Sequence, residues 1–351
     1  MHEHTTAQRS KLPQQRTAAN RGVLGLTIGA GLVLTLIAIR TLTASLDDQP
    51  VLGPITDFVT LSLSVVIESM PFIILGILLS IVVQHWLPPG FLMRILPQTP
   101  CLRRAVISLF GIALPVCECG NVPLARGLVL RGFTPAESIT FLLAAPILNP
   151  ITIVTTYQAF GWDHGILAAR IIGGFVIANV IGFLFSRHPR PQDLLTPSFA
   201  ATCELEAKHG HDTRSSVRDR FRASASMFGA ETSTMLPALF VGSAIAGAIQ
   251  VGVSRDLLTT LGEHPVLSVL VLMTLGFVIS ICANVDAFFA LSFVGTFMPG
   301  GIVAFLVMGP MIDVKMLALM RTTYTSAVLA RITLIVALSA FTLGLGVNLI
   351  A

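Results

Sequence analysis

Apolar positions along this chain fall in long unbroken blocks, without the residue-by-residue alternation of a half-buried strand. Charge-free runs cover 22–39, 138–162, 232–254, 265–285, 287–312 and 332–351. Two more, 58–84 and 165–186, are each interrupted by one charge, Glu68 and Arg170. A helix rising about 1.5 Å per residue needs about 20 apolar residues to cross the hydrocarbon core, and each run is near or above that length. Closed barrels also satisfy the backbone in lipid, but they are built from short alternating strands. The pattern therefore predicts an all-α, polytopic transmembrane helical bundle of about 8–10 hydrophobic segments. Nine blocks are counted, at roughly 22–41, 56–84, 105–125, 136–161, 164–186, 228–252, 265–290, 299–320 and 324–350.

Composition agrees with the pattern. Of 351 residues 54% are hydrophobic and 11% charged, where a soluble domain carries about 25% charged residues. The polar start carries Arg9, Lys11, Arg16 and Arg21 against Glu3, which reads as a cytoplasmic N-terminus leading into an uncleaved signal-anchor. The formal net charge of +4 fits basic cytoplasmic loops. Its basic residues are scattered without a nucleic-acid-binding motif, so no nucleic-acid partner is expected. Five cysteines are an odd number with no disulfide framework, which favours free or ligand-binding thiols.

One long polar stretch, 187–222, divides the chain. The expected organisation is 1–55 as cytoplasmic N-terminus and first transmembrane helix, 56–186 as one membrane repeat, 187–222 as cytoplasmic linker, and 223–351 as a second repeat. Eight landmarks support two similar halves. Pro71, Gly76, Cys119, Asn121, Pro135, Pro146, Asn149 and Arg170 match Pro237, Gly242, Cys282, Asn284, Pro299, Pro310, Asp313 and Arg331, with an offset that stays between 161 and 166. Duplicated broken helices around a midplane site are a habit of secondary transporters. If the basic loop 87–104 and the linker are both cytoplasmic, one of the three intervening segments is re-entrant and the repeats are inverted. If all three cross, the repeats are parallel. The inverted arrangement is preferred.

Three constellations carry candidate chemistry. Pro115-Val-Cys117-Glu118-Cys119-Gly120-Asn121-Val-Pro123 places two thiols, a carboxylate and an amide in a stretch whose prolines and glycine disfavour a continuous helix. Thiolates prefer soft ions. Cys282, with Asn284 nearby, stands at the matching place in the second half, so Cys119 and Cys282 are expected to approach each other. Cys-x-Cys alone is not the four-ligand pattern of structural zinc, and no resident metal or cofactor is expected; the histidines His2, His4, His209 and His211 read as solvated. The alternative for the cysteines is plain packing.

Asn149-Pro150 and Asp313 form the second constellation, each after a proline in a charge-free run. Freed carbonyls with Asn or Asp oxygens suit a cation or a polar solute; helix capping is the structural alternative. The third is the set of charges isolated among apolar residues: Glu68, Glu118, Arg170, Asp286, Asp313, Lys315 and Arg331. Charges at membrane depth are costly and tend to pair or face a cavity. Glu68, Glu118 and Asp286 are candidate proton carriers, while Arg170 and Arg331 are expected to neutralise acids of their own half. Arg126 and Arg131 are placed at an interface. No phosphate-binding Gly-x4-Gly-Lys-Ser/Thr loop is present, so no ATPase resides in the chain, and no His-Glu-x-x-His or Gly-x-Ser-x-Gly motif marks a hydrolase.

The stretch Pro115-Val-Cys-Glu-Cys-Gly-Asn-Val-Pro-Leu-Ala-Arg126, continued by Phe141-Leu-Leu-Ala-Ala-Pro-Ile-Leu-Asn-Pro150, resembles the YraQ/ArsP-type predicted permease family. Glu68-Ser-Met-Pro71 and Cys282-Ala-Asn-Val-Asp286 fit the same pattern, and the resemblance spans roughly 50–350. It implies an inner-membrane permease, not an enzyme, with membrane lipid and a small solute as its partners. A subset of that family exports trivalent organoarsenicals, which thiols bind well. The site residues the resemblance carries over are Cys117, Cys119, Asn149 and Cys282. The expected function is efflux of a small, thiophilic solute by alternating access. Two alternatives stay open: export of an unrelated metabolite with structural cysteines, and a membrane assembly partner that transports nothing.

Overall fold

The computed structural model describes residues 53–88, 91–113, 116–209, 217–252 and 264–350. The first apolar block, 22–41, the N-terminal histidines, Pro115 and His211 lie outside the described residues, as does the side chain of His209. The architecture is all-α; among the described residues the only extended pairings are two isolated bridges, Leu195 with Tyr324 and Val294 with Phe297.

In chain order the helices are α1 Gly53–Ile81, continued by a wide π turn Val82–Trp86, then α2 Pro100–Ser108, α3 Glu118–Leu130, α4 Pro135–Ala144, α5 Pro150–Phe160, α6 Ile166–Ser186, α7 Pro197–His209, α8 Val217–Gly252, α9 Pro265–Ile279, α10 Asp286–Ala290, α11 Pro299–Met311, α12 Val314–Met320 and α13 Ser326–Ile350. Single-turn pieces at Phe91–Ile95 and Phe110–Ala113 flank α2.

Five stretches among the described residues are long and apolar enough to cross a membrane: Ile55–Trp86, Asp163–Ser186, Arg220–Val251, Pro299–Met320 and Ser326–Ile350. The chain is a multi-pass membrane protein. Three of the nine expected blocks do not form single spans. Block 105–125 is cut before Cys117, 136–161 is cut into α4 and α5 by the turn before Asn149, and 265–290 is cut after Ile279. The cause in the second block is Pro150, which supplies no backbone donor and opens a new helix at its first position. In the third the cut falls at Ser280, held left-handed at φ 55° and ψ 41°.

The interior is built around α11, whose span Pro299–Met320 is 83% buried, against 33% for α13. Its first part, α11 itself, is charge-free and buried from Gly300 to Met311, as expected of a helix that is hydrophobic all round. α9, α13 and α6 pack on α11, while α1 lies against both α3 and α8, and α8 against α12. The α1–α3 crossing is a backbone contact: a Cβ at Gly76 would lie 2.0 Å from the Gly120 carbonyl oxygen, and one at Gly120 would lie 2.3 Å from that of Phe72. Small residues at such crossings let helices approach closely in lipid, where packing takes the place of a hydrophobic driving force.

The stretch 187–222, expected as a plain cytoplasmic linker, is packed into the molecule where it is described. Leu194, Leu195 and Phe199 are buried. Thr196 N–H donates to the Thr323 carbonyl at 2.9 Å, and Thr325 N–H to that of Leu194 at 3.2 Å. Its last residues already belong to α8.

Candidate functional site

The cysteine motif is mostly helical, contrary to the sequence expectation. Val116 and Cys117 precede the helix, Cys117 standing extended at the N-cap position of α3, and the helix then runs through Pro123 to Leu130. Pro123 lacks the N–H that would bond the carbonyl four residues back, but one missing bond does not end the helix where tertiary packing holds it. Every α3 residue from Glu118 to Val129 is buried. Glu118 sits in the first turn, where the helix dipole favours an anion.

The second half approaches Glu118 from two directions. Lys315, in α12, places Nζ 3.2 Å from Glu118 Oε1, and both side chains are 1% exposed. The turn after α9 brings Cys282 Sγ to 3.8 Å and the Ala283 N–H to 3.4 Å from Glu118 Oε2. Cys117 Sγ, a Glu118 carboxylate oxygen and Cys282 Sγ all lie within 4.8 Å of one another. Among the described residues the thiol that groups with Cys282 and Glu118 is thus Cys117; the expected Cys119–Cys282 meeting is not part of this group, because Cys119 donates to Ser69 Oγ of α1 at 3.5 Å. Cys119 also lies beside the Cys117 thiol, but its own bond is to α1 and not to the Cys282 turn.

Three residues along the chain from Glu118, both amide atoms of Asn121 have no partner among the described residues, while the Ser280 hydroxyl and the Asp313 carboxylate face one another. Asn121 and Asp313 are fully buried. Asp313 caps α12 through the Met316 N–H, and its charge faces Lys315. Lys315 Nζ also donates to the Ser280 carbonyl at 3.3 Å, which the left-handed Ser280 backbone turns toward it. A buried non-glycine residue in that region stores strain of the kind found at functional sites. Asn149 caps α5 through the Ile151 N–H at 2.9 Å and donates to the Val116 carbonyl at 3.2 Å. It thereby holds the extended segment from which Cys117 projects. Asn284 is half-buried and accepts from Thr152 Oγ1 at 3.3 Å.

The three carboxylates expected to carry protons occupy different settings. Glu118 is at the centre. Glu68 lies on the exposed side of α1, with Lys315, Glu118 and the Cys282 thiol as its polar neighbours. Asp286 is tied to Arg170 by two bonds, Nη1–Oδ1 at 3.0 Å and Nη2–Oδ2 at 2.6 Å. That pair corrects one expectation: Arg170 neutralises an acid of the other half, not of its own. Arg331 is exposed on α13.

Sequence reasoning missed a second node. Arg126, expected at an interface, is buried with Nε 3.1 Å from Glu231 Oε2, Nη1 2.9 Å from the Thr322 carbonyl, and its guanidinium 4.2 Å over the Phe199 ring. It fastens α3, α8, the α12–α13 turn and the linker together. Arg131 lies where its guanidinium donates to the Gln84 and Leu87 carbonyls. Lys315 was visible among the isolated charges, but its role was not. The available signal was the balance of opposite charges across the halves, Glu118 against Lys315 and Asp286 against Arg170.

A family model described as ArsP_1, predicted permease, matches residues 55–349. The chain belongs to this family. It is 34% identical over 264 residues to UPF0718 protein YcgR of Bacillus subtilis, covering 75% of this chain and 87% of that protein. It is 31% identical over 266 residues to a putative two-component membrane permease complex subunit of Streptococcus mutans, covering 75% and 85%. UPF0718 protein YraQ of Escherichia coli matches at 28% over 133 residues, 38% of this chain and 37% of that protein. No solved structure matches the chain.

Proposed function

We propose that this permease is an inner-membrane secondary transporter that exports a small thiophilic solute, such as a trivalent organoarsenical, through the Glu118 centre. The observation that carries the reading is the make-up of that centre. Two thiols and a carboxylate from opposite halves of the chain converge within 4.8 Å, and the buried amide of Asn121, one turn along α3, has no partner among the described residues. Unpaired polar atoms in a buried place cost stability unless they serve something. In this reading 56–186 and 223–351 are inverted repeats that rock against each other. Cys117 and Cys282 hold the solute, with Cys119, Asn121 and Asn284 beside them. Asn149 and Asp313 line the path. Glu118 and Glu68 carry the coupled proton, and Asp286 joins them only when released by Arg170.

The test is resistance and export in cells expressing the protein. Cys117→Ser with Cys119→Ser abolishes protection against a trivalent organoarsenical; unchanged transport rejects the thiol site. A second reading is favoured by the ion pairs. Glu118–Lys315, Arg170–Asp286 and Arg126–Glu231 all join the two halves, as in a closed membrane partner that moves nothing alone. The Streptococcus mutans relative is named as a subunit of a two-component complex. Export that appears only on co-expression with a second membrane subunit favours that reading.

A further inference from the structure

The geometry points to a binding site for one divalent thiophilic metal cation, formed by Cys117 Sγ, Cys282 Sγ and Glu118 Oε2, that exchanges the ion for two thiol protons. It deepens the permease reading by naming the solute class, and rests on that reading only for transport, not for binding.

Ligand type comes first. Two sulfurs and a carboxylate oxygen suit zinc- or cadmium-like ions, whereas calcium and magnesium require all-oxygen shells. Three protein ligands with an open fourth position is the arrangement of exchangeable sites, while structural zinc sites are closed by four. Spacing agrees: two sulfurs about 2.3 Å from a tetrahedral ion lie about 3.8 Å apart, and the three ligand atoms here lie within 4.8 Å. Closing that gap takes at most about an ångström.

Charge decides whether a cation can enter beside Lys315. Glu118 uses its two oxygens for different partners, Oε1 for the Lys315 ammonium and Oε2 for the Cys282 turn. The lysine can therefore stay in place and orient the carboxylate while Oε2 turns to the ion, the part outer-shell partners play in metal sites. Binding breaks two S–H bonds and forms two S–metal bonds; no electron is transferred. The ion brings two positive charges and the departing protons remove two, so the charge enclosed with Glu118, Lys315 and Asp313 is unchanged. A buried pocket can accept that exchange without a new desolvation cost of net charge. Glu68, beside the Cys282 thiol and outside the ion's own shell, is the carboxylate placed to take up the departing protons in turn. Cys119, bonded to Ser69, stays outside the shell.

The experiment uses the purified full chain carrying Cys101→Ser and Cys203→Ser, which removes the two cysteines outside the centre. Cd2+ is titrated while thiolate-to-cadmium absorbance and proton release into weak buffer are recorded. The expected result is one Cd2+ per chain with two protons released. Cys117→Ser and Cys282→Ser each weaken binding by more than the roughly 10–100-fold that loss of an outer-shell partner costs. Where a serine variant does not fold, Cd2+ protection from maleimide is mapped on the parent chain: Cys117 and Cys282 are protected and Cys119 is not. Absence of that protection, or wild-type affinity in both serine variants, overturns the proposal. Phenylarsine oxide provides the contrasting arm, since three-coordinate arsenic needs two thiols and no carboxylate. Arsenical binding without Cd2+ binding overturns the metal site and leaves the thiophilic permease intact. Cd2+ binding without export of any thiophilic solute overturns the permease reading and leaves the site.

Discussion

Replacing Asp286 by asparagine tests whether the Arg170–Asp286 pair ties the halves together. The two bonds measure 3.0 and 2.6 Å, and the side chains are 1% and 3% exposed. At about 4 Å between charge centres and an effective dielectric of about 20, the attraction is about 4 kcal/mol. Removing one partner of a buried pair costs about 3–5 kcal/mol, because the surviving charge stays buried and uncompensated. At roughly 2–4 °C per kcal/mol for large domains, the midpoint of thermal unfolding in detergent should fall by about 6–20 °C. Arg170→Met should do the same. The double variant Arg170→Met/Asp286→Asn, which leaves no buried charge behind, should recover most of the loss, with a coupling of about 2 kcal/mol or more. Size-exclusion recovery after heating reads all four proteins. Single losses below about 1 kcal/mol that simply add in the double variant would refute the reasoning, since a pair in contact couples.

Other outcomes follow from particular contacts. Gly120→Val should prevent the α1–α3 crossing, because even a Cβ would lie 2.3 Å from the Phe72 carbonyl oxygen; the expected cost is at or above the roughly 1–3 kcal/mol of core overpacking, read as lost folded yield, and a normal melting point would contradict the contact. Arg126→Lys keeps the charge but loses the planar guanidinium that contacts Glu231 and Phe199 at once; limited proteolysis should become faster within 191–209, with unchanged rates arguing against a docked linker. Mild oxidation in the absence of metal should give a Cys117–Cys282 disulfide by peptide mass mapping, as their thiols lie within 4.8 Å; a dominant Cys119–Cys282 product would contradict the assignment of thiols. Asn149→Ala should cost about 1 kcal/mol as a lost helix cap, and Asn149→Asp less in capping but the donor to Val116 as well; equal stability of all three proteins would refute the cap.

The sequence by itself determined the class of fold, because lipid leaves the backbone few solutions and a charge-free run of about 20 residues has only one of them. It also marked two of the places where helices break, since Pro150 and the Asp313 turn act on their own backbone, while Pro123 continues its helix and the break at Ser280 carries no local signal. The residues of the centre stood out for the same local reason: a charge or thiol among apolar neighbours is costly or unusual wherever it ends up. Pairing was decided only in three dimensions. Whether Cys117 or Cys119 faces Cys282 depends on how α3 is rotated against α1, which the Gly76–Gly120 contact fixes. The partners of Arg170 and Lys315 lie 116 and 197 residues away in sequence, and nothing local selects an acid in the other half over one nearby. Arg126 is the plainest case. Its sequence surroundings suit an interface, and only the docking of α8, Phe199 and the Thr322–Thr323 turn around it makes a buried node, because long-range charge pairing follows from packing and packing is not local.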